Sequence, residues 1–144
     1  MSMVDISKKP QIYREAVVKG FIKLKPETIK VITEGKAEKG NPLEVAKIAG
    51  IIAAKNTSNL IPLCHPIPLT HIKIDTKIVG DNIIEVVANV KTEAKTGVEM
   101  EALTAATIAL LTIFDMVKQY EKDEKGEYPF MEISSIKVLS KIKG

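Results

Sequence analysis

The chain has 144 residues, 45% of them hydrophobic and 27% charged, and this balance predicts one globular domain with a core of its own. A formal net charge of +3 is too small to indicate a nucleic-acid partner. No uninterrupted apolar run reaches the roughly 20 residues that span a bilayer, and the first residues lack the apolar core of a signal peptide. The single cysteine, Cys64, excludes an intramolecular disulfide and a Cys-x-x-Cys metal site. We therefore expect a cytoplasmic protein without a membrane partner.

In chain order, the first predicted segment is a polar, irregular arm over residues 1–13, which we expect to be mobile and to precede a single catalytic domain over residues 14–144. Alternating positions then predict a long strand from Glu15 to Lys25. Pro26 to Glu34 has the pattern of a short helix, with proline in its first turn.

A second helix is predicted from Asn41 to about Lys55. Asn41 suits the N-cap, the proline after it suits the first helical position, and Glu44 completes a capping-box pattern. The large apolar residues of this helix are spread over more than one face, which predicts burial on several sides. They include Val45, Ile48, Ile51 and Ile52.

The second half of the chain predicts a hairpin, a long helix and a last strand. Alternation over residues 72–78, a turn at residues 80–82 and a return over residues 83–91 indicate the hairpin. Thr96 and Glu99 have capping-box spacing, at the start of a helix that reaches about Gln119. Adding a strand around residues 136–138 gives the order β-α-α-β-β-α-β. This order predicts an α+β, ferredoxin-like fold, an antiparallel four-stranded sheet with the helices on one face.

Cys64 and His65 lie in a stiff apolar loop between Pro62 and Pro66. As metal ligands they are poor, because the chain has one thiol and only one other imidazole, that of His71. Adjacent residues seldom face each other as a nucleophile and its base. Spacing alone favours a buried thiol beside a hydrogen-bonded imidazole, and a contact with a ligand stays open as the alternative.

Two carboxylates, Glu99 and Glu101, open the long helix, where capping and the helix dipole are enough to explain them. The functional alternative is a carboxylate that accepts two N–H groups from a guanine or pterin edge. One stripe of the helix contains Glu101, Thr104, Ile108, Leu111, Asp115 and Lys118. Glu101 and Asp115 are about 21 Å apart along the axis. If both ends are functional, we expect a site built from two chains.

Lys39-Gly40 precedes a helix N-terminus and could hold a phosphate group, or Lys39 could be an ordinary solvated lysine. Lys39-Gly40, Leu60 to Pro66, Thr96 to Ala105 and Leu111 to Met116 together resemble the molybdenum cofactor biosynthesis protein C family, the cyclic pyranopterin monophosphate synthases. The resemblance extends from about Met3 to Leu139.

This resemblance implies a metal-independent lyase without a cofactor. Its small-molecule substrate would be a cyclised GTP derivative, (8S)-3′,8-cyclo-7,8-dihydroguanosine 5′-triphosphate, converted to cyclic pyranopterin monophosphate with release of pyrophosphate. It also implies a homo-oligomer, a hexamer arranged as a trimer of dimers with sites between subunits.

Carried over position by position, the resemblance implies that Lys39, Asp115 and Lys118 form the catalytic cluster. The implied substrate-binding residues are Cys64, His65, Glu99, Met100 and Glu101 from a neighbouring chain, with Arg14 and Lys9 as basic residues of the arm. The chain departs from the family pattern in having Asn41 where aspartate is usual and Ile12 where threonine is usual.

Two other functions fit parts of the same pattern. The first is a non-catalytic GTP- or pterin-binding regulatory module, which a turnover assay would separate from an enzyme. The second is a metal-dependent GTP cyclohydrolase-like enzyme that uses Cys64 and His65, which elemental analysis would detect.

Overall fold

The computed structural model describes residues 1–144 and contains the predicted elements with one addition. Their bounds are β1 Ile12–Lys23, α1 Pro26–Thr33, α2 Pro42–Lys55, α3 Thr57–Leu60, β2 His71–Val79, β3 Ile83–Ala94, α4 Glu99–Val117 and β4 Glu132–Lys143. A 3₁₀ turn, Lys118–Tyr120, continues from α4. The addition is α3, a single helical turn too short to produce a periodic pattern.

The sheet is four-stranded and antiparallel, in the order β2-β3-β1-β4, which confirms the predicted ferredoxin-like fold. β1 begins at Ile12, three residues before the predicted Glu15, because its first residues pair with the end of β3, where Ile12 lies opposite Ala94. The strand order places β1 and β3 at the centre, so they are the strands covered by the helices.

The core lies between one face of the sheet and helices α2 and α4. Alternate residues of β1 and β3 are fully buried on this face, as the period of two predicts. They are Ala16, Val18, Ile22, Ile84, Val86, Ala88 and Val90. Gly20 leaves room for α4 against β1, since a Cβ atom there would be 2.7 Å from Leu110 Cδ1.

α2 starts as predicted, with Asn41 Oδ1 accepting a hydrogen bond from the Leu43 N–H at 3.0 Å. The predicted burial on several sides is wrong for three large residues of this helix. Val45, Ile48 and Ile52 are 40%, 61% and 56% exposed. Small residues make the contact with the sheet and α4 instead, which leaves the large ones facing outward. These small residues are Ala46, Gly50, Ala53 and Ala54.

The predicted capping box before α4 is also wrong. The N-cap residue is Val98, no side chain caps the helix, and Glu99 is the first helical residue rather than the third. The Glu99 carboxylate instead packs beside Gly97 and pairs with Lys141. The prediction failed because this side chain has a partner on β4, far away in the sequence.

Residues 99–120 are long and apolar enough to cross a bilayer, yet half of their most apolar stretch is buried inside the domain, as in the core helix of a globular protein. Residues 1–11 form no helix or strand and lie against the loop before β2 and the end of β3. The mobility of this arm stays a prediction.

Candidate functional site

Three of the predicted site residues, Lys39, Asp115 and Lys118, meet at the C-terminal end of α4, and we call them the lysine–aspartate cluster. Lys39 Nζ donates to Asp115 Oδ2 and to the Asp115 carbonyl oxygen, both at 3.1 Å. Lys118 Nζ lies 3.3 Å from Asp115 Oδ1. Hydrogen bonds from Lys39 and then from Lys118 lower the pKa of Asp115, so its carboxylate is ionised at neutral pH.

The side chains of the lysine–aspartate cluster are 41–58% exposed. Ion pairs with this exposure add little to folding stability, because water screens them and two long side chains must be ordered. The same exposure leaves the ammonium groups open to a negatively charged ligand. Lys118 caps the C-terminal end of α4, where the helix dipole favours a cation. The cluster therefore suits contact with phosphate better than it suits a structural role.

Five other predicted residues line a cavity of about 290 Å³ at the N-terminal end of α4, which we call the helix-entry cavity. It lies between the loop before β2 and the start of the helix. Its lining consists of Ile61, Leu63, Cys64, His65, Thr96, Gly97, Glu99, Met100 and Glu101. The structure thus brings Cys64, His65, Glu99, Met100 and Glu101 together, and their role in binding substrate stays a prediction.

Glu101 is the most buried ionisable group of the helix-entry cavity, with 3% of its surface exposed. Burial raises the pKa of Glu101 to about 7, and the nearby charge of Glu99 acts in the same direction. Cys64 Sγ lies 3.9 Å from Glu101 Oε2, and Glu101 Oε1 has no hydrogen-bond partner. Burial also raises the pKa of the Cys64 thiol, so it is neutral and poorly nucleophilic near pH 7. Glu101 can therefore carry its proton and donate it to a ligand.

Glu99 has a different environment from Glu101. Lys141 Nζ of β4 lies 3.2 Å from Glu99 Oε1 without hydrogen-bond geometry. A Cβ atom on Gly97 would lie only 2.1 Å from this oxygen. The glycine therefore leaves the space that the carboxylate occupies at the cavity wall.

His65 is held by the N-terminal arm. Its Nε2 atom lies 2.8 Å from the Val4 carbonyl oxygen. A carbonyl accepts only, so Nε2 carries the proton in this contact. In the neutral ring, Nδ1 is then the acceptor that remains for another partner.

The structure does not bring Arg14 or Lys9 to the helix-entry cavity. Arg14 is 5% exposed, and its guanidinium donates from Nε to the Ala94 carbonyl at 3.1 Å and from Nη2 to the Lys95 carbonyl at 3.2 Å. It supports the segment that leads into the cavity wall. Lys9 is exposed in the arm and forms a local backbone turn with Ile6. Contact of either residue with substrate stays a prediction.

The two groups of site residues lie at opposite ends of α4, so they are separate within one chain. An apolar surface adjoins both, formed by α2, α4 and the loop before β2. Its exposed members include Val45, Ile48, Ile52, Leu60, Ile61, Leu63, Met100 and Leu111. A groove of about 290 Å³ in this surface is lined by Leu60, Ile61, Met100, Leu103, Thr104, Thr107 and Ile108. Exposed apolar patches of this kind mark interaction surfaces.

Several residues of the site were missed by the sequence analysis. Thr96 and Gly97 line the cavity, and their place directly before the helix was the signal that could have indicated it. Lys141 and Tyr120 reach the site from other elements, and no local pattern indicates them. No three His, Cys, Asp or Glu side chains are placed so that they could hold a metal ion.

Comparison with known proteins shows the family of this chain. The model of the MoaC family matches residues 3–144. A protein of Pyrococcus furiosus is 59% identical over 99% of this chain and 91% of its own length. Relatives from Saccharolobus solfataricus and Sulfolobus acidocaldarius are 60% and 57% identical over 98% of this chain, with 94% and 98% of their own lengths covered. Each of the three is named a probable cyclic pyranopterin monophosphate synthase. These matches confirm the resemblance found in the sequence, and the chain belongs to the MoaC family.

Proposed function

We propose that this chain is an enzyme of molybdenum cofactor biosynthesis that converts the cyclised GTP derivative to cyclic pyranopterin monophosphate and releases pyrophosphate. Similarity over nearly the whole chain to relatives named for this activity supports the proposal. The structural observation that carries it is the lysine–aspartate cluster, in which two ammonium groups share one ionised carboxylate on an open surface. A lyase that uses no metal needs cationic side chains of this kind to neutralise the charge of a triphosphate substrate.

The reaction needs proton transfers and the stabilisation of phosphate charge. In closing the cyclic phosphate, a hydroxyl oxygen of the substrate forms a bond to the α-phosphorus, and the bond from this phosphorus to the oxygen that bridges to the next phosphate breaks. The hydroxyl proton passes to a general base, and pyrophosphate leaves with the bridging oxygen and its added negative charge. Lys39 and Lys118 can bind this charge, since an ammonium group is a point donor to phosphate oxygens. They can also divide the roles of general acid and general base, while Asp115 keeps both amines in place.

The helix-entry cavity is the proposed site of the guanine-derived ring. Its carboxylates, Glu99 and Glu101, can accept hydrogen bonds from ring N–H groups, and a protonated Glu101 can donate one. Cys64, His65 and Met100 complete the lining. In this proposal the ring lies at the start of α4 of one chain, and the triphosphate lies at the end of α4 of another.

We further propose a hexamer, a trimer of dimers, with one site at each such interface. The exposed apolar surface of α2 and α4 supports an oligomer, because a second chain would remove large residues such as Ile48, Ile52 and Leu111 from water. The mass of the native protein in solution tests this assembly. Action in the cytoplasm is proposed with it, consistent with a single, unpaired cysteine.

The decisive experiment is turnover by the purified protein in the presence of EDTA. We expect the cyclised GTP derivative to be consumed, with one pyrophosphate released for each cyclic product. Substrate that binds and is recovered intact would favour the non-catalytic binding module. Activity that EDTA abolishes and only added zinc restores would contradict the metal-independent mechanism.

A further inference from the structure

The segment that follows α4, residues 118–121, makes two contacts with the residue that precedes Lys39. Gln119 Nε2 donates to Glu38 Oε2 at 3.2 Å. The Tyr120 hydroxyl accepts a hydrogen bond from the Glu38 backbone N–H at 2.8 Å. Both contacts fall on the residue immediately before Lys39. The segment therefore holds the backbone from which this lysine side chain extends.

The same segment also holds the start of α1, the helix that precedes the Lys39 loop. Glu121 is buried, and its Oε2 atom accepts hydrogen bonds from the Lys25 N–H, at 2.9 Å, and from the Thr28 hydroxyl. Lys25 is the N-cap residue of α1. The part of the chain from Lys25 to Lys39 is thus attached at its beginning by Glu121 and near its end by Gln119 and Tyr120.

The loop over residues 35–41 has little else to hold it. Gly35 and Gly40 both have positive φ, 69° and 114°, and no side chain packs around either of them. The other backbone hydrogen bonds of the loop are local, such as those from the Lys36 N–H to Val31 and from the Gly40 N–H to the Ala37 carbonyl. The Tyr120 hydroxyl is the one group outside the loop and its flanking helices that binds the loop backbone.

We propose that Tyr120 is a positioning residue for Lys39. By fixing the Glu38 N–H, it sets where the Lys39 side chain begins relative to Asp115 and Lys118. The inference rests on the proposed function, since it concerns how the same cluster is assembled. Positioning matters because a catalytic group that is already ordered loses no further conformational freedom when the reaction takes place. A loop with two glycines at positive φ has much freedom to lose.

The test compares Tyr120→Phe with Tyr128→Phe. Both tyrosines are partly buried, and each substitution removes one oxygen atom. Tyr128 is a matched control, because its ring packs edge-on against Phe114 at 5.5 Å and its hydroxyl makes no hydrogen bond within the chain. Amide hydrogen exchange at Glu38 and steady-state kinetics are measured for both variants and for the wild type.

We expect Tyr120→Phe to speed amide exchange at Glu38 and to lower kcat by about three- to tenfold, the effect of one neutral hydrogen bond. KM should stay within about twofold, because the ring contacts in the helix-entry cavity are unchanged. Tyr128→Phe should match the wild type in each measurement. Should Tyr120→Phe not fold, Gln119→Ala takes its place, because it removes the other contact with Glu38 from an exposed position. This variant is also expected to lower kcat.

The proposal is overturned if kcat of Tyr120→Phe equals that of Tyr128→Phe, whether or not exchange at Glu38 is faster. A lower melting temperature with wild-type kcat would also overturn it, since the tyrosine would then be only structural. Wild-type protein without turnover would contradict the proposed function instead. If amide exchange at Glu38 is unchanged in Tyr120→Phe, the hydrogen bond between Glu38 and Tyr120 is itself contradicted, whatever the activity.

Discussion

Asp115 accepts from two lysines that reach it from different directions, one three residues along the chain and one 76 residues away. Each carboxylate oxygen faces one ammonium group, so neither lysine can replace the other. Under the proposed function, this arrangement gives both amines a defined place at the phosphate groups of the substrate. We therefore predict that Lys39 and Lys118 are both needed for turnover.

We expect Lys39→Ala and Lys118→Ala each to reduce turnover by about 10²–10⁴-fold, the usual contribution of a general acid or base. The fold should be unaffected, because both side chains are nearly half exposed. Lys36→Ala is the control, since Lys36 lies in the same loop and pairs only with the exposed Glu34. Near-normal kcat in either test variant would exclude that lysine from the chemical step.

Glu101 makes folding stability depend on pH. Its pKa rises from 4.5 to about 7 on folding, chiefly through burial. The folded protein therefore binds more protons than the unfolded chain between these values, and stability falls as pH rises from about 4.5 to 7. The slope contributed by this group can reach about 1.4 kcal/mol per pH unit and vanishes above pH 7.

We expect Glu101→Gln to remove this part of the pH dependence, because the amide keeps the shape and carries no titrating proton. Urea unfolding of wild type and variant at a series of pH values, at one protein concentration, measures it. Parallel stability curves for the two proteins across pH 5–8 would show that Glu101 is ionised in the folded state.

At the scale of elements, helix ends are completed by contacts that come from far away in the chain. The predicted cap of α2, Asn41, is local and is confirmed. The N-terminal end of α1 has no local side-chain cap. Glu121, 96 residues further along the chain, accepts a hydrogen bond from the Lys25 N–H instead. An N-cap carboxylate also faces the positive end of the helix dipole.

We expect Glu121→Ala to lower the free energy of unfolding by about 1–3 kcal/mol, because the buried Thr28 hydroxyl and the partly buried Lys25 N–H lose their acceptor. Chemical denaturation measures this loss. Glu124→Ala, at an exposed position three residues further on, should change stability little. Equal stability of the two variants would show that water replaces the Glu121 carboxylate at no cost.

For the whole molecule, the fold keeps the lysine–aspartate cluster apart from the helix-entry cavity. α4 runs straight through the domain, so Glu101 and Asp115 are about 21 Å apart along its axis. Under the proposed function, a single small substrate contacts both groups of residues only where two chains meet. Large apolar residues of α2 and α4 are exposed and available for such a contact.

Glu101→Ala and Asp115→Ala should each be inactive alone and regain activity together. When the two mutants are unfolded and refolded as a mixture, about a quarter of the two-chain sites combine the intact halves by random association. Turnover of the mixture is compared with that of each mutant refolded alone. Inactive mixtures, with mixed oligomers verified by mass, would mean that the site lies within one chain.

The sequence by itself determined the strands, the three longer helices and their order, because these follow from short-range periodicity, but it missed the single turn of α3. Alternation over residues 72–78 and the turn at Gly80 were enough for the hairpin, and the strand order then follows from the ferredoxin-like plan. Five residues that line the helix-entry cavity were named beforehand through the family resemblance, because they lie in two short strings next to a helix start, whereas Thr96 and Gly97 were not.

Only the tertiary structure decided which side chains meet. Glu99 pairs with Lys141 instead of capping its own helix, Arg14 is buried under the backbone after β3, and Tyr120 holds the residue before Lys39. These contacts join positions 42 to 82 residues apart, so strand register and helix packing set them rather than any local pattern. For the same reason, three large residues of α2, Val45, Ile48 and Ile52, were expected inside and are found outside. Periodicity shows that they are apolar, but the packing of the domain decides which of them it covers.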